Sequence, residues 1–158
     1  MELVLLTVGK LRPAYREACD DYLRRFGRHV KAREVEVREA SRAPTVDAQR
    51  EEEASRLRAK LPDGARLVTL ARQGSGWSSE EVARRLDLWM REGRAVALAI
   101  GGSHGLAPGF VAGAADRWSL GPLTLPHELA RVVVAEQLYR ASTILRGEPY
   151  HKGVSERG

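Results

Sequence analysis

The run Val96-Ala97-Leu98-Ala99-Ile100-Gly101-Gly102-Ser103-His104-Gly105-Leu106 decides the fold class of this chain. Its first half is an unbroken apolar stretch, as a parallel strand covered on both faces requires. Glycines follow at once, and Pro108 opens a short helical segment after them. A buried strand that ends in a glycine turn and enters a helix is a unit of an open α/β sheet. Such sheets bind ligands at the carboxyl ends of their strands, where glycine lets backbone N–H groups come close. The spacing Gly-Gly-x-x-Gly matches neither the dinucleotide fingerprint nor a Walker A loop, which needs a Gly-Lys-Ser/Thr ending. A tight connection that holds no ligand fits the same residues, and the stretch alone does not choose.

Working outward, the same alternation recurs along the chain. Strands are predicted at Glu2–Val8, Arg33–Arg38, Arg66–Ala71, Ala95–Ile100 and Trp118–Leu120. Helices are predicted at Ala14–Phe26 after Pro13, a favoured first-turn residue, and at Val46–Leu61, Ser79–Arg91, Pro108–Asp116 and His127–Arg146. Ser78-Ser79-Glu80-Glu81 carries a capping signature ahead of the third of these. The expected fold is α/β, a mostly parallel sheet flanked by helices, in one domain spanning residues 1–158.

A chain of 158 residues can bury a core without disulfides or metal. Cys19 stands alone, which excludes an internal disulfide and a cysteine metal cluster, and no histidine has metal-ligand spacing. No apolar run approaches the roughly 18–20 residues that cross a bilayer. Glu2–Val8 reads as a buried strand rather than a leader. These features predict a cytoplasmic protein with no metal and no membrane partner. With 26 basic against 21 acidic side chains, the formal charge of +5 favours a polyanionic partner, nucleic acid first. Arginine far outnumbers lysine, which suits bidentate phosphate contacts; genome base composition produces the same bias.

Two further stretches carry candidate chemistry. Trp118-Ser119-Leu120-Gly121-Pro122-Leu123-Thr124-Leu125-Pro126-His127 is stiffened by two prolines and carries leucines unusual in a solvent loop. Leu120, Leu123 and Leu125 suit a pocket for a flat ring such as adenine, and equally suit packing under the final helix. Arg131 lies near the start of that helix, where a cation opposes the macrodipole, so its guanidinium is expected to have another task. Pro149-Tyr150-His151-Lys152 places an aromatic ring, an imidazole and an ammonium together, a nucleobase and phosphate contact or a plain tail. His29 reads as a turn residue, His104 as filler in its glycine turn, and His127 as a helix cap or a substrate contact.

Taken in order, these residues resemble the RlmH (YbeA) family of SPOUT-class methyltransferases. The resemblance rests on Leu6-Thr7-Val8-Gly9-Lys10-Leu11, Tyr22-Leu23-Arg24-Arg25-Phe26, Val68-Thr69-Leu70 and Ile100-Gly101-Gly102-Ser103-His104-Gly105. It continues through Leu123-Thr124-Leu125-Pro126-His127, Arg131-Val132-Val133-Val134-Ala135-Glu136-Gln137-Leu138-Tyr139-Arg140-Ala141 and Arg146-Gly147-Glu148-Pro149-Tyr150-His151-Lys152. It implies a C-terminal trefoil knot, a homodimer with a shared active site, and S-adenosyl-L-methionine as cofactor. The implied reaction is methylation of N3 of a pseudouridine in 23S ribosomal RNA of the assembled ribosome. It also implies cofactor binding by Leu70, Gly101, Gly102 and the loop Leu120, Gly121, Pro122, Leu123, Thr124 and Leu125. Gly121-Pro122 stands where relatives usually carry a serine and a variable residue, and Gly153–Gly158 runs past the usual family end.

An imide N3 is a poor nucleophile until its proton leaves, so a base or an anion-stabilising cation is needed. Arg131, Tyr150 and His151 are the catalytic candidates for substrate binding and anion stabilisation, with His151 the leading base. Gly101→Val is expected to abolish cofactor binding. Two rivals stand beside this reading: a non-catalytic ribosome-binding factor of the same fold, and an α/β enzyme using the glycine turn for a nucleotide phosphate.

Overall fold

The computed structural model describes residues 1–150. Five strands and five helices alternate: β1 (Leu3–Val8), α1 (Pro13–Phe26), β2 (Ala32–Val37), α2 (Val46–Arg58), β3 (Arg66–Gly76), α3 (Ser79–Glu92), β4 (Val96–Ile100), α4 (Pro108–Ala112), β5 (Asp116–Ser119) and α5 (His127–Arg146). The strands form one sheet in the order β2-β1-β4-β3-β5, and every pairing is parallel. The expected α/β sheet flanked by helices is therefore present.

Alternation along the strands sends side chains to two cores. Leu3 and Leu5 of β1 and Val96, Leu98 and Ile100 of β4 meet Phe26 of α1, Leu86 and Trp89 of α3, and Val134 and Leu138 of α5. On the other face Leu6, Val8 and Ala99 meet Ala54 and Leu57 of α2 and Phe110 of α4. The leucines of β1 and β4 are wholly buried, each contributing roughly 1.5–3 kcal/mol of transfer free energy. The Ser78 hydroxyl accepts from the Glu81 N–H at 3.1 Å, so the capping signature works as a cap.

Three regions differ in their boundaries from the sequence reading, each for a local reason. The predicted helix Pro108–Asp116 stops at Ala112, with Gly113 at its end, and β5 begins at Asp116 rather than Trp118. The Asp116 carboxylate accepts from Arg66 at 2.7 Å and from Arg85 at 3.2 Å, which draws it into the strand layer. The helix Val46–Leu61 ends at Arg58, just before Pro62, whose ring disfavours helix at the preceding residue.

Strand β3 shows the third difference. It does not end at Ala71 but runs on to Gly76, with its register against β5 broken between Leu70 and Ser75. Both of those residues pair with Trp118, so the residues between them arch away from the sheet. Glycine closes the arch, because a Cβ at Gly74 would lie 2.6 Å from the backbone of Arg117. That arch carries Ala71 and Arg72 to the cavity described next.

Candidate active site

A cavity of about 420 Å³ opens over Leu70, where the register of β3 against β5 breaks, and over Ile100 and Ser119, where β4 and β5 end. The glycine turn 101–105 forms one wall and the loop before α5 forms another. Of the expected cofactor residues, Leu70, Gly101, Gly102, Leu120, Gly121, Leu123, Thr124 and Leu125 all line this space, while Pro122 does not. The Ser119 hydroxyl accepts from the Gly121 N–H at 3.1 Å and so fixes the start of the loop. Gly121 takes φ +104°, and a Cβ there would project into open space.

The glycines at the turn are also demanded by packing. A Cβ at Gly101 would sit 2.5 Å from the Gly105 carbonyl carbon, and one at Gly102 would sit 3.1 Å from the Val8 side chain. The turn closes on itself, with the Gly105 N–H donating to the Gly102 carbonyl at 3.0 Å. These two glycines permit the turn to form against its neighbours. Gly101→Val therefore disrupts the turn's packing and does not isolate a ligand contact.

Sequence reading missed several lining residues. Arg50, Arg72, Ser103, Ser119 and Ala130 join the wall, as do His104 and His127. Arg50 sits in α2, which reads from sequence as a solvated Arg/Glu helix; its Nε donates to the His104 carbonyl at 2.7 Å. Arg72 reaches the Thr124 hydroxyl at 2.5 Å from the β3 arch. Only glycines inside a strand pattern, Gly74 and Gly76, signalled that arch.

Arg131 and Tyr150, two of the catalytic candidates, do not line this cavity. Arg131 is wholly buried and donates to the Gly9 carbonyl at 2.8 Å, to Glu34 at 2.9 Å and to Glu36 at 2.6 Å. Arg16 of α1 binds the same two carboxylates, which completes a ring of alternating charge between α1, β2 and α5. The task inferred for the Arg131 guanidinium is thus to pin β2 and the turn after β1 beneath the last helix.

Tyr150 packs on α5, its hydroxyl donating to Glu136 at 3.0 Å and its ring 4.9 Å from that of Tyr139. Arg140 lies over the Tyr150 ring at 4.8 Å and also binds Glu136. Burial and the adjacent Glu136 carboxylate push the Tyr150 phenol well above its ordinary range, so it stays protonated. His29, beyond α1, stacks on Tyr139, and its Nδ1 meets the Ser142 hydroxyl at 2.8 Å. His151 lies outside the described residues. Among the described residues no group of His, Cys, Asp or Glu could hold a metal ion, and no helix is long and apolar enough to cross a membrane.

A parallel sheet with a cavity walled by a glycine turn and a proline-stiffened loop before the last helix defines a class of enzyme. The chain belongs to the SPOUT methyltransferases: the family described as Predicted SPOUT methyltransferase matches residues 1–151. Within that class its near full-length relatives are named Ribosomal RNA large subunit methyltransferase H. The protein of that name from Pseudomonas aeruginosa (strain LESB58) is 42% identical over 155 residues, covering 96% of this chain and all of that one. The one from Anaeromyxobacter sp. (strain Fw109-5) is 46% identical over 153 residues, with the same 96% of this chain covered and all of its own. The fold is shared with the crystal structure of a "Probable Methyltransferase" from Bordetella pertussis Tohama I at TM-score 0.54 and 19% identity, covering 89% of this chain and 95% of that one.

Proposed function

We propose that this methyltransferase uses S-adenosyl-L-methionine to methylate N3 of a pseudouridine in 23S ribosomal RNA, acting on the assembled ribosome as a cytoplasmic homodimer. The cavity over β3, β4 and β5 carries the reading: its lining includes every expected cofactor residue except Pro122. The donor set fits an adenosyl group, with Leu70, Ile100, Leu120 and Leu125 offering an apolar bed and the loop's backbone offering polar edges. The relatives' names supply the RNA class, and the charge of +5 supports it. The family's C-terminal trefoil knot belongs to the same reading.

The bound cofactor supplies an electrophilic methyl on a sulfonium. This chain's own work is alignment, which is worth several kcal/mol of barrier when the attacking atom is held in line. The imide proton must also be removed, and the resulting anion stabilised. Tyr150 enters this scheme as a neutral hydrogen-bonding aromatic group, since its phenol stays protonated beside Glu136. His151 is proposed as the base. Arg131 serves as a positioning residue, given that both of its terminal nitrogens are engaged by Glu34, Glu36 and the Gly9 carbonyl. Tyr150 packs on α5 and not on the cavity of its own chain, which supports a site completed by a second copy. Half-buried Val132 and Val133 on α5 offer an apolar face for that copy.

The test is transfer of a labelled methyl group to ribosomes lacking the modification, with the labelled nucleotide mapped. Label in 23S RNA at N3 of a pseudouridine is the expected result. Ribosome binding without transfer would instead identify a non-catalytic binding factor, and His151→Ala is expected to slow single-turnover transfer strongly while cofactor affinity stays near normal.

A further inference from the structure

Among the described residues, the cavity lining contains Arg50, Arg72, His104 and His127 and no aspartate or glutamate. That is unusual within a chain that carries 21 acidic residues and spends them on its arginines. The buried or half-buried guanidiniums of Arg16, Arg66, Arg85, Arg131 and Arg140 each meet a carboxylate at 3.2 Å or closer. The two cavity arginines, Arg50 half-buried and Arg72 exposed, are held differently. Arg72 is anchored by the neutral Thr124 hydroxyl at 2.5 Å. Arg50 is anchored by the His104 carbonyl at 2.7 Å, and its nearest carboxylate is the solvent-exposed Asp47 at 3.7 Å.

Arg72 so oriented keeps its charge uncompensated, Arg50 is compensated only by the exposed Asp47, and most of the N–H groups of both stay available. Two such groups flank one cavity, one tied to the glycine turn and the other to the loop before α5. Carboxylates and phosphates are the ligands that a guanidinium fork binds best. The apolar bed of Leu70, Ile100, Leu120 and Leu125 suits the adenosine end of the cofactor, which directs the cofactor's amino-acid end toward the arginines.

We propose that Arg50 and Arg72 form an oxyanion-binding subsite on the cavity wall. The oxyanion is the carboxylate of the cofactor's amino-acid tail or a phosphate of the RNA. The proposal rests on the cofactor reading above.

The experiment uses the full chain and calorimetric titration with two ligands, S-adenosylhomocysteine and its decarboxylated analogue, which differ by the carboxylate alone. Wild-type protein is expected to favour the carboxylate-bearing ligand about tenfold, the worth of a charge-assisted contact at a partly solvated site. Arg72→Gln and Arg50→Gln should each erase most of that preference and leave affinity for the decarboxylated analogue within about twofold. Arg72→Gln is the cleaner variant, because its melting temperature is expected to match wild type.

If both variants keep the ligand preference but raise KM for ribosomes, the oxyanion is a phosphate. The log–log salt slope of RNA affinity should then fall by about one unit for each arginine replaced. Two well-folded variants with unchanged ligand preference and unchanged ribosome KM would overturn the subsite. A wild-type protein that binds neither adenosyl compound would overturn the cofactor reading itself.

Discussion

The carboxyl edge of one sheet is treated in opposite ways at its two ends. Over β1 and β2, Glu34 and Glu36 are closed against Arg16 and Arg131, and Arg131 also takes the Gly9 carbonyl. Over β3, β4 and β5 the cavity lining carries Arg50 and Arg72 and, among the described residues, no carboxylate, the exposed Asp47 lying 3.7 Å from Arg50. The cavity at the ends of β1 and β2 is instead lined by Glu36 and Glu39 as well as Lys10 and Arg38. The same residue type is therefore neutralised within the chain at one end and left available at the other. What separates the two is the partner: an arginine neutralised inside the chain is structural, whereas one oriented by a hydroxyl or a carbonyl is left to act on something else.

The largest expected effect comes from breaking the charge ring at the β1–β2 end. Arg131→Met leaves Glu34 and Glu36 with Arg16 as their remaining cation and empties a wholly buried site, and removal of one member of a buried ion pair costs up to about 3–5 kcal/mol. Arg72→Gln at the open end should change stability by no more than about 0.5 kcal/mol. Urea denaturation of both variants measures the contrast, and equal losses would erase the distinction between the two ends.

A smaller effect is expected at the turn between them. Gly101→Ala places a methyl group 2.5 Å from the Gly105 backbone, an overpacking that costs about 1–3 kcal/mol. Thermal melting and cofactor titration should fall together in this variant. Lost binding at wild-type stability would mean that Gly101 contacts ligand directly.

The β1–β2 end also responds to pH and to chemical probes. The Arg12 backbone N–H and guanidinium hold the Glu128 carboxyl below the usual carboxylate range, tying the start of α1 to α5. A lowered folded-state pKa contributes stability that is present above the ordinary range and is lost as pH falls through the folded value. Glu128→Gln should therefore melt lower than wild type at neutral pH and converge with it in strong acid. Cys19 is wholly buried, and burial followed by the nearby Glu34 pushes its thiol up to about 11. A thiol reagent at neutral pH should label it only at the rate of unfolding, and rapid labelling of native protein would show that the region opens.

Much of this was legible in the sequence, for identifiable reasons. Val96–Ile100 could only be a buried strand, and the glycines after it placed a turn at a carboxyl edge where ligands bind. The loop from Leu120 to Leu125 was marked by prolines and by leucines in an otherwise exposed position. Arg50 and Arg72 were not legible, since one sits in a helix patterned for solvent and the other on an arch made by a strand that breaks and resumes. Arg131 announced a task by opposing the helix dipole, but its partners are about a hundred residues away in sequence, at Glu34 and Glu36. Periodicity reports which face a residue occupies and carries no information on which distant carboxylate waits there.

The central claim is that the adenosyl cofactor enters the open end of the edge. Amide NMR of labelled protein titrated with S-adenosylhomocysteine tests it residue by residue. The account predicts shifts at Leu70–Arg72, Gly101–Gly105 and Ser119–Leu125, with Gly9, Lys10 and Glu34–Glu39 left unmoved. Shifts confined to the β1–β2 end, where a second cavity lies, or a spectrum unchanged at saturating ligand, would contradict it.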